Sequence, residues 1–225
     1  MVLAEYLANA FGLTQDSEYV YFGTEDYNHL GGADASIVRV AKAGGKVETI
    51  AAHQVFPFRL AIAGDYVYWT TYQESGQLMR VRRAGGPVEL RGYGIRYPDA
   101  LAVDSDNVYV GGRGDQTVYA FAHNNQQEPS VLYRGEIATG ISDMVHFGES
   151  LFWVDDSSSG FVARLPVGAQ TSVNSLPQTA APTSPSLSSS FPKLVYNRDE
   201  KREVRVQSDV FLPYQVVSKS QLRSY

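Results

Sequence analysis

Apolar residues in this chain come in short runs divided by turn-forming residues, and helical spacing is nearly absent. The densest runs are Tyr19-Val20-Tyr21-Phe22, Tyr66-Val67-Tyr68-Trp69, Asn107-Val108-Tyr109-Val110 and Leu151-Phe152-Trp153-Val154. Unbroken apolar character over so short a stretch predicts strands buried on both faces. Eight positions before the centre of each run stands another apolar residue: Leu13 before Tyr21, Leu60 before Tyr68, Leu101 before Tyr109, Met144 before Phe152 and, more faintly, Leu187 before Val195. The units recur every 41 to 47 residues. A period in that range predicts one four-stranded β-unit repeated, the blade of a β-propeller. A two-layer sandwich also buries its strands, but it does not explain similar units at near-equal spacing.

Within a unit the first strand is the innermost: Ala10-Phe11-Gly12-Leu13, Pro57-Phe58-Arg59-Leu60, Pro98-Asp99-Ala100-Leu101 and Ile141-Ser142-Asp143-Met144. Ala61, Ala63 and Ala102 let these strands crowd around an axis. A tight turn (Gly64-Asp65, Ser105-Asp106-Asn107, Gly148-Glu149-Ser150) leads into the aromatic strand. The third strand reads Ile37-Val38-Arg39-Val40, Leu78-Met79-Arg80-Val81, Val118-Tyr119-Ala120-Phe121 and Phe161 to Leu165. The fourth is short and more polar (Val47 to Ile50, Val88 to Leu90, Val131 to Tyr133), as an outer edge should be, because charge discourages edge-to-edge pairing. The expectation is an all-β propeller with repeats near 8–52, 53–94, 95–137, 138–180 and 181–225.

The last repeat is the weakest. Residues 169–190 are rich in Ser, Thr, Pro, Ala and Gln, a composition that suits a loop. Beyond it, Lys193 to Tyr196, Glu203 to Val206 and Tyr214 to Val217 fall where the second, third and fourth strands of a fifth blade are due. Five blades, four blades with a strand-rich tail, and an incomplete part of a larger ring all remain open. Leu3 to Ala10 is the one helix candidate, and Val2 to Tyr6 is a candidate closing strand.

The run Ile62 to Thr70, followed by Gly76-Gln77-Leu78-Met79-Arg80-Val81 and Ala84-Gly85-Gly86-Pro87-Val88-Glu89, resembles a YWTD-type propeller repeat. Ala43-Gly44-Gly45-Lys46-Val47-Glu48-Thr49 fits the same template. Tyr109-Val110-Gly111 lacks the Trp, Phe152-Trp153-Val154-Asp155 lacks the Tyr, and the fifth repeat keeps little. The resemblance implies a propeller, usually of six blades. It implies no single activity, since propellers host binding, scaffolding and catalysis alike.

Composition narrows the function. Acidic and basic residues are interspersed at a net charge of −5, and Arg80, Arg82 and Arg83 read as a solvated outer strand, so nucleic acid is not an expected partner. With no cysteine, thiol catalysis and thiolate metal sites are excluded. No apolar stretch is long enough to insert in a membrane. Residues 1–13 lack the basic and long apolar regions of a secretory leader, and the compartment stays open. Asp104-Ser105-Asp106-Asn107 lacks the Gly and Glu of a calcium loop and reads as a turn. Asp155-Asp156 offers carboxylates at the end of an aromatic strand. His29, His53, His123 and His146 have no zinc spacing. No metal or cofactor is expected.

The connections into the inner strands open on one face, and they are rich in Tyr, Phe and Arg, residue types that dominate binding hot spots. The predicted rim comprises Phe56, Phe58, Arg59, Tyr72, Tyr93, Arg96, Tyr97, Asp99, Arg113 and Asp143. The reading that follows is a non-catalytic module engaging a protein or glycan. Its alternatives are a hydrolase or lyase using Asp99 and Asp143 at the channel, and a structural segment completing a ring in an oligomer or larger assembly.

Overall fold

A computed structural model describes residues 2–5, 7, 9–24, 35–124, 128–135, 140–156, 160–167, 192–197, 202–207 and 215–218. The Thr24–Ser36 connection with His29, the 169–190 tract and Leu187 lie outside these, apart from the ends Thr24, Ala35 and Ser36. The described secondary structure is all β. Four antiparallel four-stranded sheets follow one another, and among the described residues no helix is long and apolar enough to cross a membrane.

The first blade comprises β1 (Phe11–Gln15), β2 (Tyr19–Thr24), β3 (Ala35–Ala41) and β4 (Glu48–Gln54). The second has β5 (Pro57–Ala63), β6 (Tyr66–Thr71), β7 (Gly76–Arg82) and β8 (Glu89–Ile95). The third has β9 (Pro98–Val103), β10 (Asn107–Gly112), β11 (Thr117–Ala122) and β12 (Ser130–Arg134). The fourth begins with β13 (Ile141–Phe147), β14 (Ser150–Asp155) and β15 (Phe161–Pro166). Inner strands β1, β5, β9 and β13 lie side by side in sequence order, which is the arrangement of a propeller.

The end of the chain departs from the five-blade expectation. β16 (Pro192–Asn197) and β17 (Arg202–Gln207) pair as a hairpin, whereas β18 (Gln215–Ser218) pairs antiparallel with β15 as the outer strand of the fourth blade. The reason is compositional. The Ser- and Pro-rich tract after β15 supplies no continuous run of strand formers, so the edge of β15 takes a later apolar run, while two nearer runs pair across a short connection. At the other end, the described residues of 2–10 form neither helix nor strand. Leu3, Ala4 and Leu7 lie on Phe22, Val38 and Val40 of the first blade.

Every blade has a front face and a back face, because alternate residues of a strand point opposite ways. Three seams form where one blade's back meets the next blade's front. Tyr21, Ile37, Ile50 and Ala51 of the first blade pack on Leu60, Val67, Trp69 and Val81 of the second. Ala61, Ala63, Tyr68 and Leu78 pack on Leu101, Val108, Val110 and Phe121. Ala100, Ala102, Tyr109 and Val118 pack on Met144, Leu151, Trp153 and Ala163. Trp69 and Trp153 are 0% and 1% exposed, so the seams are dry cores. Small residues set how closely blades approach: a Cβ on Gly111 would lie 2.5 Å from Ile141 Cγ2 across the third seam.

Polar buckles close the first hairpins of two blades. Asp16 Oδ1 accepts the backbone N–H groups of Glu18 and Tyr19, and its Oδ2 accepts the Tyr21 hydroxyl at 2.7 Å. Asp104 repeats the pattern with Asp106, Asn107 and the Tyr109 hydroxyl, which commits the carboxylate of the calcium-like stretch to its own turn. Burial opposes ionisation of Asp16, but the Tyr19 amide, the Tyr21 hydroxyl and Arg83 outweigh it and hold the carboxyl well below its usual range. Burial and the adjacent carboxylate push the Tyr21 phenol up to about 12.

Two predictions follow from the packing and the buckle. Gly111→Ala should overpack the third seam and lower stability in urea by about 1–3 kcal/mol; an unchanged midpoint would contradict the close approach. A depressed Asp pKa gives stability that is present above the ordinary carboxylate pKa of about 3.9 and lost as pH falls through it toward the folded value. Asp16→Asn should therefore flatten the loss of stability between about pH 5 and pH 2, measured by urea unfolding at stepped pH. Parallel wild-type and variant curves would contradict the role of Asp16.

Candidate binding mouth

The inner strands enter from one face, and their entries share two irregularities, the first at all four and the second at three. The first is a bulge. Pairing shifts between Pro57 and Leu60 in β5, around Asp99 in β9 and between Ile141 and Asp143 in β13. A bulge re-aims the extra residue away from the ladder, and here it turns Phe58, Arg59 and Asp99 toward the mouth. Thr70, fully buried, lends its hydroxyl to the Arg59 N–H at 3.2 Å, so the break in β5 leaves that donor satisfied.

The second irregularity is backbone strain. A left-handed residue stands at the start of each of the first three inner strands: Phe56 at φ 40° and Tyr97 at φ 48° immediately before β5 and β9, and Asn9 at φ 34° two positions before β1. Asn tolerates this region, but bulky side chains do not. The Phe56 and Tyr97 carbonyls accept the Tyr72 and Arg113 N–H groups at 3.0 and 2.9 Å, and the Gly140 carbonyl accepts that of Asp156 at 3.0 Å. Tyr72, Arg113 and Asp156 are thus equivalent positions just past the second strand of successive blades.

These irregularities bring a charged row and an aromatic row together. Arg59 donates from Nε to the Asp99 carbonyl at 2.7 Å and from Nη2 to Asp99 Oδ1 at 3.0 Å and the Ser142 carbonyl at 2.7 Å, so one side chain ties the second, third and fourth blades. Arg113 donates to Asp99 Oδ2 at 3.1 Å and to Asp156 Oδ2 at 2.6 Å. Arg59, Asp99, Arg113 and Asp156 therefore alternate in sign across three blades. Asp99 is buried, while the side chains of Arg59 and Arg113 are 36% and 41% exposed. Burial raises the Asp99 carboxyl, against the pull of the two guanidiniums. Beside the row, Tyr72 lies between Phe58 and Tyr97, with ring centroids 4.9 and 5.5 Å apart.

Of the residues expected at the rim, Phe58, Arg59, Tyr72, Tyr97, Asp99 and Arg113 join in this way. Phe56 adjoins them through its backbone and has an exposed ring. Arg96 lies on the flank, donating to Glu74 and to the Gly114 carbonyl, both at 3.4 Å. Tyr93 stands in outer strand β8 opposite Gln77, away from the inner-strand entries. Asp143 is exposed on the back of the fourth blade, and its Oδ1 accepts the Met144 N–H. The row pairs Asp99 with Asp156 through Arg113, not with Asp143. Asp156 belongs to the mouth although the sequence presents it only as a carboxylate after an aromatic strand. Its alignment with Tyr72 and Arg113 was the signal available. Among the described residues no group of three His, Asp or Glu is placed to hold a metal ion.

No family model matches the chain, and no curated protein matches it. Solved structures do. A virginiamycin B lyase from Staphylococcus aureus matches over 72% of this chain and 54% of its own, at 14% identity and a TM-score of 0.58. The computationally designed Ika4 protein matches over 74% of this chain and 96% of its own, at 15% identity and 0.55. The designed Ika8 protein matches over 71% of this chain and 46% of its own, at 14% and 0.51. The chain thus spans about half the length of the lyase and of Ika8. At these identities the likeness shows the fold, a β-propeller built of repeats, and nothing finer.

Strain at Phe56 yields a prediction. A bulky left-handed residue costs about 1–3 kcal/mol, and glycine relieves it. Because the Phe56 ring is exposed, Phe56→Gly should leave thermal stability unchanged or raise it. A loss of several degrees would show that the ring is structural.

Proposed function

We propose that the chain is a non-catalytic binding module that engages a protein ligand at the mouth formed by Phe58, Tyr72, Tyr97, Arg59 and Arg113, on a propeller whose repeats are of the YWTD type, as Val67-Tyr68-Trp69-Thr70 reads. The observation that carries this reading is the strain at Phe56 and Tyr97. Strained backbone persists where the surrounding structure enforces it, and it clusters at ligand-binding positions. Here it is spent on setting two aromatics beside a pre-ordered ionic row.

The chemistry suits a protein surface. Tyr and Arg recur at interface hot spots because each offers a large rigid contact area and a polar tip. Arg59 and Arg113 are already oriented by Asp99, so little side-chain freedom is lost on binding. Their partly exposed guanidiniums can donate to backbone carbonyls or carboxylates of a partner. The tilted rings, at 40° and 51° to one another, form a notch for a side chain rather than a flat platform for a sugar.

The test is affinity capture from native extract, with partners identified by mass spectrometry, followed by direct binding of the purified partner and a parallel glycan array. Tyr97→Ala and Arg113→Ala should each weaken binding of the partner about thirtyfold, the scale of a 2 kcal/mol hot spot. Equal binding by both variants would remove the mouth as the site. Binding on the glycan array alone would replace the protein ligand by a sugar.

A further inference from the structure

Small residues close the mouth ends of the first two seams, but not of the third. Arg39, Arg80, Ala120 and Arg164 are equivalent, because each pairs with the central aromatic of its second strand. Four positions before them stand Ala35, Gly76, Gln116 and Gly160. Three positions after Tyr68, Tyr109 and Phe152 stand Thr71, Gly112 and Asp155. Members of the two sets meet across a seam. A Cβ on Gly76 would collide with Pro98, which pairs with Gly112. Ile141 holds the place of Pro98 in the fourth blade and pairs with Asp155. The facing residues are therefore Ala35 and Thr71 in the first seam, Gly76 and Gly112 in the second, and Gln116 and Asp155 in the third. The first two pairs are small. The third is an amide and a carboxylate, each only 5% exposed.

Gln116 is fitted into this place against local preference. Its φ is 54°, in the left-handed region that side chains disfavour. Its carbonyl accepts the Gly135 N–H at 3.0 Å. Gly135 leaves room for the amide: a Cβ there would collide with Gln116 Oε1, and the Tyr133 hydroxyl lies 3.2 Å from the same point. The Tyr133 ring packs in turn on Trp153 across the seam, with centroids 5.1 Å apart. The amide is thus held inside the seam, and among the described residues its Nε2 has no hydrogen-bond partner. Trp153 Nε1 has none either, but the same is true of Trp69 Nε1 at the equivalent place in the first seam. The amide, not the indole, sets the third seam apart. Buried polar groups without a protein partner are rare, and ordered water is what commonly satisfies them.

The chemistry of the two facing groups selects what can join them. No direct bond runs from Gln116 Nε2 to Asp155. An amide N–H repels a cation, and a carboxylate repels an anion. An apolar group would leave both without a partner. A water molecule accepts from the amide and donates to the carboxylate, and so has the two polar partners that a buried water requires at the least.

We infer that a buried water links the Gln116 amide to the Asp155 carboxylate across the third seam. It ties together the two segments that carry Arg113 and Asp156 to the mouth, whose own bond spans the same seam at 2.6 Å. The inference goes beyond the binding reading and does not depend on what the mouth binds.

The experiment is a high-resolution crystal structure of the full chain, with water-to-amide Overhauser effects measured in solution in the rotating frame to separate them from hydroxyl exchange. A water should lie about 2.7–3.2 Å from both Gln116 Nε2 and an Asp155 oxygen, and the Gln116 side-chain amide should show a cross-peak to water. Gln116→Met keeps the bulk and removes both polar atoms, so the variant should fold, as judged by circular dichroism, and lose that water. A direct bond from Nε2 to a protein oxygen would overturn the inference. So would a folded wild type with neither water density nor cross-peak at this amide. A water kept in place in Gln116→Met would also overturn it, because Asp155 alone would then hold it. If no crystals form, the cross-peak decides the question by its presence or absence.

Discussion

Packing of one blade's back on the next blade's front is the contact on which the rest depends. A single four-stranded sheet of this size has two apolar faces and no core of its own. It becomes stable only when neighbours remove both faces from water, at roughly 25 cal/mol for each Å² buried. The pairing of Tyr or Ala with Leu, Val or Trp across each seam does this three times over. It also fixes the radial order of the inner strands, so the loops that enter them gather on one face. The mouth is therefore a consequence of the seams: Arg59 can touch the Asp99 and Ser142 carbonyls only because three consecutive inner strands are held side by side.

At that mouth the structure gives up local regularity. Bulges break the ladder at Phe58–Arg59, Asp99 and Ser142, and Phe56 and Tyr97 sit in backbone conformations that their side chains disfavour. The seam side of the same strands shows no such concession. Conflict between local preference and global fold tends to lie where function lies; besides these entries it recurs at His53 of β4 and Gln116 before β11, both left-handed, and in the outer strand pairs. The opposite end is closed by the Asp16 and Asp104 buckles, which satisfy local backbone groups and hold their tyrosines.

Much of the architecture was legible in the residues. The repeat of Tyr21, Tyr68, Tyr109 and Phe152 located the second strands, because doubly buried strands must be apolar throughout, and the polar fourth strands marked the outer edge. The last blade was less legible. Pairing of β18 with β15 is a long-range choice between competing apolar runs, and composition is blind to which edge a strand will join. Most of the mouth could be read from loop aromatics and arginines, since entry loops of equivalent strands must converge. The pairing of Asp99 with Arg59, Arg113 and Asp156 could not, because it depends on bulges that leave no mark in residue type. Asp143, one position past its bulge, was turned to the outer face by the same irregularity.

The account rests on consecutive repeats touching through their faces. A double-mutant cycle across the second seam tests this most directly. Gly92 of β8 and Phe121 of β11 belong to adjacent repeats, and a Cβ on Gly92 would lie 2.3 Å from the Phe121 ring. The account predicts that Gly92→Ala and Phe121→Leu, each destabilising alone, together cost less than their sum by at least about 0.5–1 kcal/mol in urea unfolding. Additive costs would mean that the two repeats do not meet there, and the radial stack of blades would fall with that contact.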